Sequence, residues 1–124
     1  MRKLGPVLLS VLAGLSLCIT TVWADSNAIN EMARIVENIN HRVGDADKDV
    51  LRRIVSDESS TRGEQAIANA LLQLNHQVTP ADRDKLAGIR DDSAASDAER
   101  ELADIVMGID HKPSSKDKER LGRL

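Results

Sequence analysis

Leu74-Asn75-His76-Gln77-Val78-Thr79-Pro80-Ala81-Asp82 is the stretch on which the fold turns. Its counterparts stand 35 residues to either side, as Ile39-Asn40-His41 followed by Asp47 and Ile109-Asp110-His111 followed by Asp117. These are all three histidines of the chain. Working outward, nine residues before each histidine stand Met32, Ile67 and Leu102, and eight before stand Ala33, Ala68 and Ala103. After the acid come Lys48, Arg83 and Lys118, then Leu51, Leu86 and Leu121, and finally Ile54, Ile89 and Leu124. Agreement in so many columns without a gap marks the triplication of one supersecondary unit.

Within the unit, Ile67, Ala70, Leu71 and Leu74 follow the i, i+3, i+4, i+7 spacing of one helix face. Thr61 with Glu64, and Ser96 with Glu99, place a hydroxyl residue three positions before a glutamate, the pattern of a capping box at a helix start. The helix is expected to close at the Asn-His pair, since asparagine tolerates the left-handed conformation. Thr79-Pro80-Ala81-Asp82 and Ser114-Ser115-Lys116-Asp117 then cap a second helix, with an acid in its first turn. The fold class is therefore all-α. It should comprise three tandem helical hairpins of about 35 residues, over roughly 29–63, 64–98 and 99–124, stacked as a short helical-repeat bundle or solenoid. The truncated third unit predicts a short C-terminal helix prone to fraying. The unit length resembles that of tetratricopeptide hairpins in architecture only, because those use bulky aromatic positions and residues 25–124 have none.

Met1-Arg2-Lys3 is basic, residues 4–23 carry no charge, and Val22-Trp23-Ala24 supplies small residues at the positions a signal peptidase reads. Residues 1–24 read as a signal peptide, leaving 25–124 as the helical-repeat domain. An uncleaved anchor is the alternative, since 21 uncharged residues suffice to span. A lipid attached to Cys18 is disfavoured by the Leu17 before it. Each version puts the body across the membrane: the periplasm in a Gram-negative cell, the exterior otherwise.

The whole chain has 17 basic and 20 acidic side chains; without Arg2 and Lys3 the balance is 15 to 20, net −5. Such a domain is repelled by phosphate backbones and anionic lipid, which argues against nucleic-acid binding and against membrane insertion after cleavage. Cys18 and Trp23 are the sole cysteine and aromatic residue, and both fall in the leader. The body therefore lacks disulfides, cysteine metal sites and stacking platforms.

His41, His76 and His111 are the candidate metal ligands. Equivalent positions in stacked hairpins should lie one helix-pair spacing apart, about 8–10 Å, too far for one ion. The expectation is accordingly no metal and no cofactor, with each histidine closing its helix through a helix-end carbonyl or the aspartate six residues on. Asn40, His41, Asp47, Asn75, His76, Asp82, Asp110, His111 and Asp117 then form a structural signature of the repeat. Asp45-Ala46-Asp47-Lys48-Asp49 opens like a calcium loop, but Val50 and Ser56 occupy the places that need Gly and Glu. No nucleophile elbow or phosphate loop is present, and no catalytic residue is assigned.

The function expected is a small, exported, acidic protein-interaction module without catalysis. A protein partner would be held by exposed charges at Arg52, Arg53, Asp82, Asp84, Lys85, Asp97, Glu99, Arg100 and Glu101. The alternatives are a histidine-dependent metal or pH sensor, and an inhibitor or immunity-type protein acting on a secreted enzyme.

Overall fold

A computed structural model describes residues 27–124, and the signal peptide expected over 1–24 lies outside the described residues. The described chain is all-helical, with six helices and no strand among the described residues. They are α1 (27–37), α2 (Asp45–Ser56), α3 (Arg62–Leu72), α4 (Pro80–Arg90), α5 (Asp97–Met107) and α6 (Ser115–Leu121). None is long and apolar enough to cross a membrane.

The two helices of each unit are not equivalent, and their apolar stripes explain why. The first helix buries a wide face: Ile67, Ala68, Ala70 and Leu71 in α3, and Leu102, Ala103, Ile105 and Val106 in α5. The second buries little, with Leu51 and Ile54 in α2, Leu86 in α4 and Leu121 in α6. A helix with so wide a face must be covered on several sides, so α1, α3 and α5 lie inside and α2, α4 and α6 outside. One core cluster runs from Ile29 to Leu121, with Ala33, Ala68 and Ala103 all within it. The broadest contacts join successive units, α2 against α3 and α4 against α5, and α3 also touches α5 directly.

The helix starts are as the sequence predicts. Thr61 with Glu64 and Ser96 with Glu99 form reciprocal capping boxes, Thr79 and Ser114 cap α4 and α6, and Pro80 opens α4. Two acids counted among the exposed charges prove buried, Asp82 and Glu99. Both fold back onto a cap: Thr79 Oγ1 donates to Asp82 at 3.0 Å, and the Ser96 amide donates to Glu99 at 3.1 Å. Arg100 and Glu101 are half-buried as well. Glu99 also crosses between units, accepting a short hydrogen bond from the Thr61 hydroxyl. Gly63 makes room for it, because a Cβ there would stand 3.1 Å from Glu99 Oε1.

The C-terminal helix is short, as expected, but Arg120 ties it down. Its guanidinium donates to Glu101 at 2.5 Å and to Asp104 at 2.7 Å, both on α5. Arg120 in turn holds the Glu101 carboxyl below the usual carboxylate range.

Candidate functional site

The inner helices end earlier than the sequence suggests. α3 stops at Leu72 and α5 at Met107, four residues before the histidine, with right-handed cap residues Gln73 and Gly108. The chain then runs through a buried apolar residue (Ile39, Leu74 or Ile109), the histidine turn, and a second buried residue (Val43, Val78 or Pro113). These anchors, two before and two after each histidine, pin both legs of the turn to the core. The apex between them is forced outward.

At each apex the histidine, and not the Asn40, Asn75 or Asp110 before it, takes the left-handed conformation. The φ angles are 73° at His41, 66° at His76 and 68° at His111, the three positive values outside glycine among the described residues. The backbone folds sharply around each one: the Asn75 amide donates to the Gln77 carbonyl at 3.3 Å, and the Lys112 amide to the Asp110 carbonyl at 2.8 Å. Left-handed backbone costs a side-chain-bearing residue about 1–2 kcal/mol, and glycine or asparagine is the cheaper occupant. Histidine at all three apexes is thus not explained by backbone shape.

The three turns meet. The His76 amide donates to the His41 carbonyl at 2.8 Å, the His111 amide to the His76 carbonyl at 2.7 Å, and the His41 amide to the His111 carbonyl at 2.5 Å. This closed ring of main-chain bonds joins the first unit directly to the third, which an open stack of hairpins would keep apart. It also overturns the expected separation of the imidazoles. Ring centroids lie 5.1 Å apart for His41 and His76, 5.2 Å for His41 and His111, and 4.6 Å for His76 and His111.

One potential ligand atom from each histidine falls within 4.8 Å of the other two. His41 Nδ1 and His76 Nδ1 are 3.2 Å apart and share a proton as a hydrogen bond. Two nitrogens bound tetrahedrally to zinc at 2.0–2.1 Å stand about 3.3 Å apart, so this pair already has the spacing of a metal's ligand edge. All three rings are exposed, with half of the His111 side chain open to solvent.

The other signature residues divide in two. Asp82 and Asp117 serve the caps of α4 and α6, and Asp47 lies in the first turn of α2, whose cap residue Gly44 makes no side-chain bond. The expected bond from each histidine to the aspartate six residues later is therefore replaced by ring-to-ring contact. Asn40 and Asn75 are exposed, while Asp110 bonds the ring of its own neighbour, 2.7 Å from His111 Nδ1. Gln77 from the adjacent turn donates to the same Asp110 oxygen at 3.2 Å. Together these donors hold Asp110 below the usual carboxylate range, with Gln77 the larger influence. Nothing local in the sequence pointed to Gln77.

Compared with family models, with curated proteins and with solved structures, the chain matches none.

Proposed function

We propose that this is an exported helical protein that binds one divalent transition-metal ion between His41, His76 and His111. The single observation carrying this reading is the convergence of three exposed imidazoles, each contributed by one repeat, with one ring nitrogen of each within 4.8 Å of the others. Neutral imidazole suits zinc, copper and nickel, and three nitrogens leave a fourth position open. On this reading the three hairpins are arranged about an axis through the histidine ring, each supplying one third of the site. The outlying φ angles add support, since strained backbone concentrates where side chains must be held for function.

Binding is the proposed activity, without catalysis. The site stands in water, and a metal-bound nucleophile gains little without a cavity that excludes solvent. A protein partner enters at the fourth position, which is reachable because all three rings are exposed, and a side chain from that partner would complete the tetrahedron.

Calorimetric titration of residues 25–124 with Zn²⁺ tests the reading. The expected result is one ion per chain, weakening in acid because a protonated imidazole cannot ligate, and abolished by His76→Ala. Absence of binding, or binding unchanged in that variant, overturns it.

A further inference from the structure

The threefold pattern is broken at one chemically significant place. The residue before the histidine is a neutral amide in the first two units, Asn40 and Asn75, and a carboxylate in the third, Asp110. The carboxylate engages its ring: Asp110 Oδ1 stands 2.7 Å from His111 Nδ1. Gln77 Nε2, 3.2 Å from the same oxygen, fixes the carboxylate from the neighbouring turn. His41 and His76 bond one another instead, through Nδ1 on each.

Asp110 does not belong to the cluster of ligand atoms that approach within 4.8 Å, which contains the three histidines alone among the described residues. It therefore touches the site through His111. A carboxylate that accepts from one imidazole nitrogen keeps the proton there, turns the lone pair of the other nitrogen outward and makes that nitrogen a better donor to a metal.

We propose that Asp110 is the positioning residue of the metal site, holding His111 as its Nδ1–H tautomer so that Nε2 is the nitrogen offered to the ion. This rests on the metal-binding reading above. It makes the site chemically asymmetric within a nearly threefold scaffold: His111 comes prearranged by its carboxylate, whereas His41 and His76 must break their mutual hydrogen bond as the ion enters. Gln77 acts behind Asp110, limiting the carboxylate to the rotamer that reaches the ring.

Two measurements on the protein from residue 25 onward decide it. In metal-free wild type, long-range ¹H–¹⁵N correlation of the imidazoles should show His111 protonated at Nδ1, and Asp110→Asn should shift it toward the other tautomer. Competition with a chromogenic chelator should show Zn²⁺ affinity falling roughly 10- to 100-fold in Asp110→Asn, with partial recovery in Asp110→Glu and an unchanged helical spectrum in both. A wild-type His111 protonated at Nε2 overturns the proposal without recourse to any variant. Wild type that binds Zn²⁺ while Asp110→Asn binds equally well overturns the role of Asp110 alone. Wild type that fails to bind Zn²⁺ removes the metal reading, and this proposal with it.

Discussion

The two ends of the inner helices solve the same problem in opposite ways. At the N-terminal end of α3 and α5, orphan amides are satisfied by Thr61, Glu64, Ser96 and Glu99, with both glutamates buried. At the C-terminal end the chain leaves the helix, bends left-handed at an exposed histidine and closes a ring of main-chain bonds with its two counterparts. The first end is relaxed and polar, its glutamates buried beneath cap residues that are half-buried at Thr61 and exposed at Ser96. The second is strained, exposed and rich in imidazole nitrogen. On the metal-binding reading proposed above, the difference separates stability from binding along one helix axis, so substitutions at either end should be read by different instruments.

The largest stability effect is expected at the N-terminal end. Glu99→Ala removes the reciprocal bond of a capping box and the acceptor of the Thr61 hydroxyl, which should cost about 2–3 kcal/mol in urea denaturation while leaving Zn²⁺ affinity intact. A comparable loss of metal affinity would show that the two ends are coupled.

At the histidine end, His76→Ala should cost about 1 kcal/mol through its lost ring contact. His76→Gly should fold close to wild type, because glycine relieves the left-handed strain while adding disorder to the unfolded chain. Both should lose the metal. Equal stability of the two variants would mean that the strain inferred from the positive φ is absent.

What could be read in advance follows the same division. The capping boxes, Pro80 and the apolar stripes were legible because each depends on residues within one or two turns of each other. The histidine ring was not legible, since it arises from bonds between residues 35 and 70 apart, such as His41 to His111, and the repeat is equally consistent with an open stack. The asparagines before His41 and His76 point to the wrong residue of the turn: asparagine is the commoner left-handed residue, but the buried anchors Leu74 and Val78 are centred on His76 and place the apex there. Asp82 and Glu99 read as exposed charge in a helical pattern, which does not show their return to Thr79 and Ser96 or the packing of Glu99 against Thr61 and Gly63.

Two smaller effects sharpen the comparison. Gly63→Ala sets a Cβ 3.2 Å from Glu99 Cδ, and the displaced carboxylate should offset the gain in helix propensity, leaving a net loss under about 1 kcal/mol. A stabilised Gly63→Ala protein would mean that Glu99 moves freely. Glu101 belongs to neither end and provides a control in pH. Its folded pKa lies below the ordinary 4.5 because Arg120 bonds it. Its contribution is thus present above that ordinary value and disappears as pH falls through the folded one. Glu101→Gln should flatten this part of the acid limb of a stability profile slightly and leave the histidine end untouched.

The convergence of the histidines is the central claim, and anomalous diffraction at the zinc edge from crystals grown with Zn²⁺ tests it most directly. The account predicts one peak per chain, coordinated by nitrogens of His41, His76 and His111 from the same molecule at about 2.0–2.1 Å, with Asp110 bonded to His111 and not to the ion. A peak shared between histidines of different molecules, or three turns too far apart to share any ion, would contradict it.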